Sequence, residues 1–286
     1  MKKIALFLSL SAILFNQSVG FAQDTDSYQV PPKVIADLLL AKPTPLVRID
    51  SKAEYLLLLG RNSYPSVEEL GQPEMKIAGL RLNPLNFSPS RQSPISSITL
   101  QSIKSGAKTA ITGLPQNLAA GAIAWNPSET KIAFTQTEVN RIDLYVIDIA
   151  TKKATRVNST PLNLVLGNAF VWVDDQTILY KATTHDAAGA PKRPITPKGP
   201  TIQQTVGKSA PRPTFQDLIK SPYDENLFAY YAESQLVLYK NGVNQKIGKP
   251  ELTNSFQLSP DRQYLLTTTL TKPFSYAVPA YGFTSM

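Results

Sequence analysis

One phrase recurs along the chain. IAWNPSETKIAFTQ at 123–136 is echoed by VRIDSKAEYLLLLG at 47–60 and FQLSPDRQYLLTTT at 256–269, with a fourth relative, FVWVDDQTILYKA, from Phe170. Each copy is an apolar run, a polar turn and a second apolar run, the pattern of a strand, a turn and a strand. A second phrase follows three of the copies: ITLQSIKSGAKTAITGLP from Ile98, LYVIDIATKKATRVNSTP from Leu144 and LVLYKNGVNQKIGKPE from Leu236. There a β-rich run meets Lys-Ser-Gly, Ala-Thr-Lys-Lys or Lys-Asn-Gly and returns, which is hairpin chemistry. Two hairpins per unit make a four-stranded antiparallel sheet.

The spacing sets the size of the unit. Ile98 to Leu144 is 46 residues and Ile123 to Phe170 is 47, while Leu144 to Leu236 is 92, one unit carrying an insertion. A four-stranded unit of this length, in a chain without cysteine, matches the blade of a β-propeller. In LYVIDI, Leu144 and Val146 point to one face and Tyr145, Ile147 and Ile149 to the other, so both faces are largely apolar. A sheet held between two neighbours has this property, whereas a sheet with one wet face alternates. Proline, at 23 residues against 14 glycines, also suits loop-rich β structure better than helix. The expected fold is all-β: propeller blades of four antiparallel strands, in units 47–115, 123–161, 169–250 and a truncated 255–286. That makes an incomplete ring of about three and a half blades, below the usual range of roughly four to eight. A two-sheet sandwich with chance similarity between hairpins is the alternative architecture.

Two insertions interrupt the units, at about 61–94 and 183–233. In the first, Ser66 and Glu69 have capping-box spacing and predict one helical turn before Gly71. In the second, Thr214 and Asp217 are expected to cap a short helix that Pro222 ends. Upstream, PPKVIADLLLA within a 23–46 extension predicts a helix begun by Pro31 and Pro32 and packed on the sheets. The first residues, MKKIALFLSLSAILFNQSVGFAQ, have the charged start, short apolar run and small-residue end of a secretory signal peptide over 1–22. Cleavage after Ala22 leaves 264 residues, without a membrane segment, bound for the periplasm or the exterior. Cysteine is absent, so neither disulfides nor thiolate metal sites are available. The formal charge of +8 falls to +6 with the leader's two lysines and reads as a solubility feature rather than a nucleic-acid surface.

Residues for chemistry are scarce. The chain contains no Gly-x-Ser-x-Gly elbow and one histidine, His185, placed by TTHDAAG in a solvated loop. The neighbouring carboxylates Glu68 and Glu69, and Asp174 and Asp175, do not face one another and read as cap and turn residues. KSG, KNG and VGK lack the framing of a phosphate loop. No catalytic, cofactor-binding or metal-ligating residue is therefore assigned, and no cofactor is expected. PKRPITPKGP at 191–200 reads as a stiff solvated loop, with a polyproline II ligand as the alternative, and Tyr230 and Tyr231 read as core or interface.

Several segments together resemble the glutamyl endopeptidase-like branch of the prolyl oligopeptidase family of serine peptidases. They are YQVPPKVIADLLLAKPTPLVRID, YPSVEELGQPEMKIAGLRLNP, FVWVDDQTILY, PKRPITPKGPTIQ, RPTFQDLIKSPYDENLFAYYAESQLVLY and KPFSYAVPAYGF, in the family's order. The resemblance implies an N-terminal propeller that limits entry of peptides to an α/β-hydrolase domain carrying a Ser, Asp and His triad. All matches fall in the propeller, so the resemblance assigns no catalytic residue here and implies that the chain is inactive alone, with the hydrolase domain elsewhere. Peptides handled through that domain are the expected partners. A stand-alone exported propeller that binds a protein or peptide, or self-association that completes the ring, is the alternative.

Overall fold

The computed structural model describes residues 31–195 and 214–286. The leader at 1–22 and the second half of PKRPITPKGP lie outside the described residues. The chain divides into two units, residues 1–41 and 42–286. In the first, α1 (Lys33–Leu40) begins directly after Pro32, as its sequence predicts, and none of its residues is buried.

The second unit is all-β, built from antiparallel sheets in chain order. β1 (Leu46–Ile49), β2 (Tyr55–Gly60), β6 (Ser97–Ser102) and β7 (Lys108–Thr109) form the first sheet, in that order. β8 (Ala120–Trp125), β9 (Lys131–Thr137), β10 (Ile142–Asp148) and β11 (Lys153–Arg156) form the second. β12 (Phe170–Trp172), β13 (Thr177–Thr183), β14 (Ser234–Lys240) and β15 (Val243–Glu251) form the third, and β16 (Thr253–Leu258) pairs with β17 (Leu265–Thr269). The first insertion adds α2 (Val67–Leu70) and a small sheet of β3 (Met75–Ile77), β4 (Leu80–Asn83) and β5 (Ser88–Pro89).

The recurring phrase builds one turn. Asp50 Oδ1 accepts the Tyr55 N–H at 2.7 Å, Asn126 Oδ1 the Lys131 N–H at 2.8 Å and Ser259 Oγ the Tyr264 N–H at 2.9 Å. Three residues into each turn the backbone turns left-handed, at Ala53 (φ 53°), Glu129 (φ 59°) and Arg262 (φ 60°). Side-chain acceptors at the first position are what Asp, Asn and Ser supply in turns. In the fourth copy one residue fewer separates the paired strand ends, and Asp174 Oδ1 takes the Gln176 N–H at 2.7 Å instead.

Consecutive turns also reach each other. Glu129 accepts the Ser51 N–H at 2.9 Å, Asp175 accepts the Ser128 N–H at 2.8 Å and the Asn126 amide at 3.1 Å, and Arg262 donates to the Val173 carbonyl at 3.2 Å. The carboxylates at 174 and 175 are thus turn residues, one bonding locally and the other to the preceding sheet.

Both faces of the central strands β9 and β10 are largely covered. Ala133, Ile142 and Leu144, with Val146 beside them, pack with Ile178, Tyr180 and Val237 of the third sheet. Ile132, Phe134, Ile147 and Ile149 pack with Leu57, Leu59, Ile98 and Leu100 of the first. The division of Leu144 and Val146 from Tyr145, Ile147 and Ile149 follows the alternation of the strand.

The first insertion folds as its sequence predicts. Ser66 accepts the Glu69 N–H, Glu69 reaches back to the Ser66 N–H at 2.7 Å, and the turn ends at Gly71. The second does not. Pro222 begins α3 (Pro222–Ala232) rather than ending a helix, and 214–221 is irregular, with Asp217 at φ 56°. Ser221 caps α3 by accepting the Asp224 N–H, Pro222 sits where its missing N–H has no intrahelical partner to lose, and Asp224 and Glu225 complement the helix dipole.

Candidate functional site

In an antiparallel unit, the turns joining strands one to two and three to four lie at one end, and the loops joining two to three lie at the other. Both insertions are two-to-three loops, and the segment after β17 leaves from the same end. They meet there in one core: Ile77, Leu82 and Phe87 from the first, Phe228 and Tyr231 from the second, and Phe274 and Phe283 from the last. Phe228 meets the rings of Phe274 and Phe283 edge-on, at 5.1 and 5.5 Å. Gly79 marks a close approach in this core. Its backbone is left-handed (φ 73°), its N–H bonds Asp217 O at 3.0 Å, and a Cβ there would lie 2.2 Å from Pro279 Cβ. A layer of packed insertions therefore covers one end of the sheets.

His185 lies beside this layer in a bend, its side chain 35% exposed, as its sequence suggests, but it has partners that the local sequence does not name. Its Nε2 is 2.8 Å from Glu233 Oε2, and its ring stacks on Tyr230 with centroids 4.3 Å apart. Tyr230 donates its hydroxyl to Asp186 O at 2.6 Å, and Tyr223 donates to Pro191 O at 3.2 Å. These contacts pin the chain as it enters the basic proline-rich run. A general base needs a nucleophile's proton within reach. The neighbouring Thr184 hydroxyl instead donates to Glu233 at 3.0 Å, so the cluster is built as a clasp. Tyr231 is buried against Phe87, in the core. Among the described residues, no group of three histidines or carboxylates could hold a metal ion, and no helix is long and apolar enough to cross a membrane.

Lys181 is a second unusual group. It is fully buried in β13, its amine bonds the Leu166 carbonyl, and burial lowers its pKa to about 7. No residue-level signal beyond a lysine inside an apolar strand announces this.

A concave feature of ligand size runs beside β8, the end strand of its sheet. A cavity of about 480 Å³ lies between β8, the 164–170 connection and the last residues of the first insertion. Its size falls in the range of ligand clefts, roughly 300–1,000 Å³. An adjoining cavity of about 220 Å³ shares Ser88, Pro89, Gln92 and Pro94 with it and leads back under the first insertion. The wall is the small-residue stretch Ala119, Ala120, Gly121, Ala122, and the register of β8 on β9 shifts between Gly121 and Ala124. Ala122 is left-handed at φ 44°. The run AAGAIA, poor in the bulky residues of the other strands, is the sequence signal that marks this wall.

No protein-family model matches the chain. In sequence it is 30% identical over 271 residues to the probable glutamyl endopeptidase, chloroplastic, of Oryza sativa subsp. japonica. It is 31% identical over 269 residues to the protein so described in Arabidopsis thaliana. In both cases 90% of this chain is matched, against 29% and 28% of the relative, so the chain spans less than a third of the curated relatives it matches. Among solved structures, the Pyrococcus horikoshii acylaminoacyl peptidase is similar over 84% of this chain and 29% of its own, at 12% identity and a TM-score of 0.41. TolB from Acinetobacter baumannii is similar over 88% of this chain and 55% of its own, at 12% identity and a TM-score of 0.33. Along 90% of its length, this chain is related in sequence to the glutamyl endopeptidases, as its resemblance to that branch of the prolyl oligopeptidase family implies.

Proposed function

We propose that this chain is the propeller portion of an exported serine peptidase of the glutamyl endopeptidase type, and that it limits which peptides reach a catalytic α/β-hydrolase domain. The observation that carries this is the match to the plant glutamyl endopeptidases over 90% of the chain. The architecture agrees: the chain folds into successive four-stranded sheets, and its insertions gather into a layer at one end. The 286 residues contain no Gly-x-Ser-x-Gly elbow, and the one histidine is held by Glu233 and Tyr230. The bond-breaking residues then belong to the hydrolase domain, and export follows from the N-terminal leader.

The purified chain from Gln23 onward, treated with a fluorophosphonate serine probe and with glutamyl peptides, is expected to take no label and to cleave nothing. Cleavage abolished by mutating a serine of this chain would overturn the assignment of catalysis to a separate domain.

A further inference from the structure

We propose that the open face of the first sheet joins two copies of this chain, face to face, in a two-fold dimer. Strand register and exposure carry this, independently of the peptidase reading.

Register makes the sheets comparable position by position. The pair flanking the recurring turn is Ile49 with Leu56 in the first sheet, Trp125 with Ile132 in the second and Trp172 with Ile178 in the third. On the second strand of each pair, this residue and the one two positions on share a face. In the second sheet they are Ile132 and Phe134, fully buried and packed with the first sheet. In the third they are Ile178 and Tyr180, fully buried and packed with the second. The first sheet has Leu56 and Leu58 there, both partly exposed, and beside them on β1 stand Ile49 and Val47, 60% and 53% exposed. The first sheet thus repeats the apolar face that its successors bury against a neighbouring sheet, and leaves it open to solvent.

What fits that face follows from the surfaces the molecule offers. At the other end of the stack, the hairpin of β16 and β17 has an uncovered face on which Gln257 opposes Leu266 and Ser255 opposes Thr268. Three of those four side chains are polar, and head-to-tail association would press them onto leucine, isoleucine and valine, where polar groups without partners cost free energy. Face-to-face association instead sets Val47, Ile49, Leu56 and Leu58 on the same residues of a second copy and continues the sheet-on-sheet stacking within the chain. Charge permits this. Arg48, between Val47 and Ile49, points to the opposite face and bonds the Ile123 carbonyl. Thr99 and Gln101 of β6 extend the open face and are neutral, and Lys108 lies beyond them on β7, at the sheet's outer edge. A two-fold axis through the apolar rows therefore brings no like charges together at its centre, and self-complementary two-fold pairing is the commonest form of soluble oligomer. Four side chains and their rim from each copy make an interface smaller than the standard of about 1,600 Å², so association in the range of about 10–100 μM is expected.

Sedimentation equilibrium of the chain from Gln23 onward tests this. The expected result is a monomer at about 1 μM that becomes mostly dimer, with no larger species, at about 500 μM. Ile49→Asp and Val47→Asp each place a carboxylate on the face from an exposed position and are expected to weaken the dimer at least about tenfold. Because both sites are exposed in the single chain, the far-ultraviolet circular dichroism of each variant at about 1 μM is expected to match that of the parent, so the loss is read on folded protein. Leu266→Asp, on the face at the other end, is expected to leave dimerisation unchanged. A chain that stays monomeric at about 500 μM, or undiminished association of the folded Ile49→Asp or Val47→Asp variant, would overturn the proposal. So would loss of association in Leu266→Asp or growth beyond a dimer, the two signs of head-to-tail contact. No serine chemistry enters these readings, so they stand or fall separately from the fluorophosphonate result.

Discussion

β9 and β17 hold the same place in their units, each the second strand after the same six-residue turn, yet their surroundings differ. The five central residues of β9 are buried, while every residue of β17 is partly or well exposed. The first and third sheets cover β9 from both sides. The turn is a local property, set by an acceptor side chain and one left-handed residue, and it forms in both places. Burial is a property of neighbours, and in repeat architectures neighbours carry much of the stability.

Substitutions sharpen the contrast. Phe134, fully buried in β9 and stacked on Tyr145 at 5.5 Å, loses an entire aromatic packing site when replaced by alanine. Chemical denaturation of Phe134→Ala is expected to show about 3–5 kcal/mol of lost stability. Leu266→Ala in β17, where the leucine is 69% exposed, is expected to cost no more than about 0.5 kcal/mol. Comparable losses at both sites would break the comparison.

Lys181 gives the next largest effect, with the opposite sign. Its folded pKa of about 7 lies below the ordinary 10.5, so between those values the unfolded chain binds more protons than the folded one. Stability attributable to this group therefore rises with pH from 7 to 10.5 and is lost as pH falls through that window. Lys181→Met is expected to gain roughly 4 kcal/mol at pH 7 and to lack the slope. Denaturation midpoints at pH 7 and 10 in both proteins measure this; a variant no more stable at pH 7 would show that the buried amine carries no such cost.

The smallest contrast lies between equivalent turns. Asn126 is buried, accepts the Lys131 N–H and donates to Ser128, Thr130 and Asp175, whereas Ser259 is partly exposed and bonds within its own turn. Asn126→Ala is expected to cost about 2 kcal/mol and Ser259→Ala about 0.5–1. Thermal unfolding of the pair reads the difference, and a larger loss at Ser259 would reverse the assignment.

The blade pattern was legible because its causes are local: apolar alternation and turn residues such as Asn126 and Asn241-Gly242. The capping box at Ser66 and Glu69 was legible for the same reason. Pro222 was misplaced because proline both ends one helix and begins the next, and Ser221 decides between these only when its acceptor role is weighed. The contact of His185 with Glu233 was not legible because the two lie 48 residues apart, across an insertion whose path local pattern does not specify. The cavity beside β8 arises from three segments distant in sequence, and only the run of small residues at Ala119 to Ala122 hinted at it. Lys181 was invisible for a related reason: nothing in TILYKAT says that the strand's second face is also covered.

The central functional claim is that this chain works as part of a serine peptidase. Its most direct test is to label the exported fraction of the producing cell with a fluorophosphonate probe and isolate the species recognised by an antibody to residues 46–269. The account predicts that this species, or one that co-purifies with it stoichiometrically, carries the label and cleaves glutamyl peptides. An abundant antibody-reactive chain with neither label nor peptidase activity, alone or with its bound partners, would contradict it.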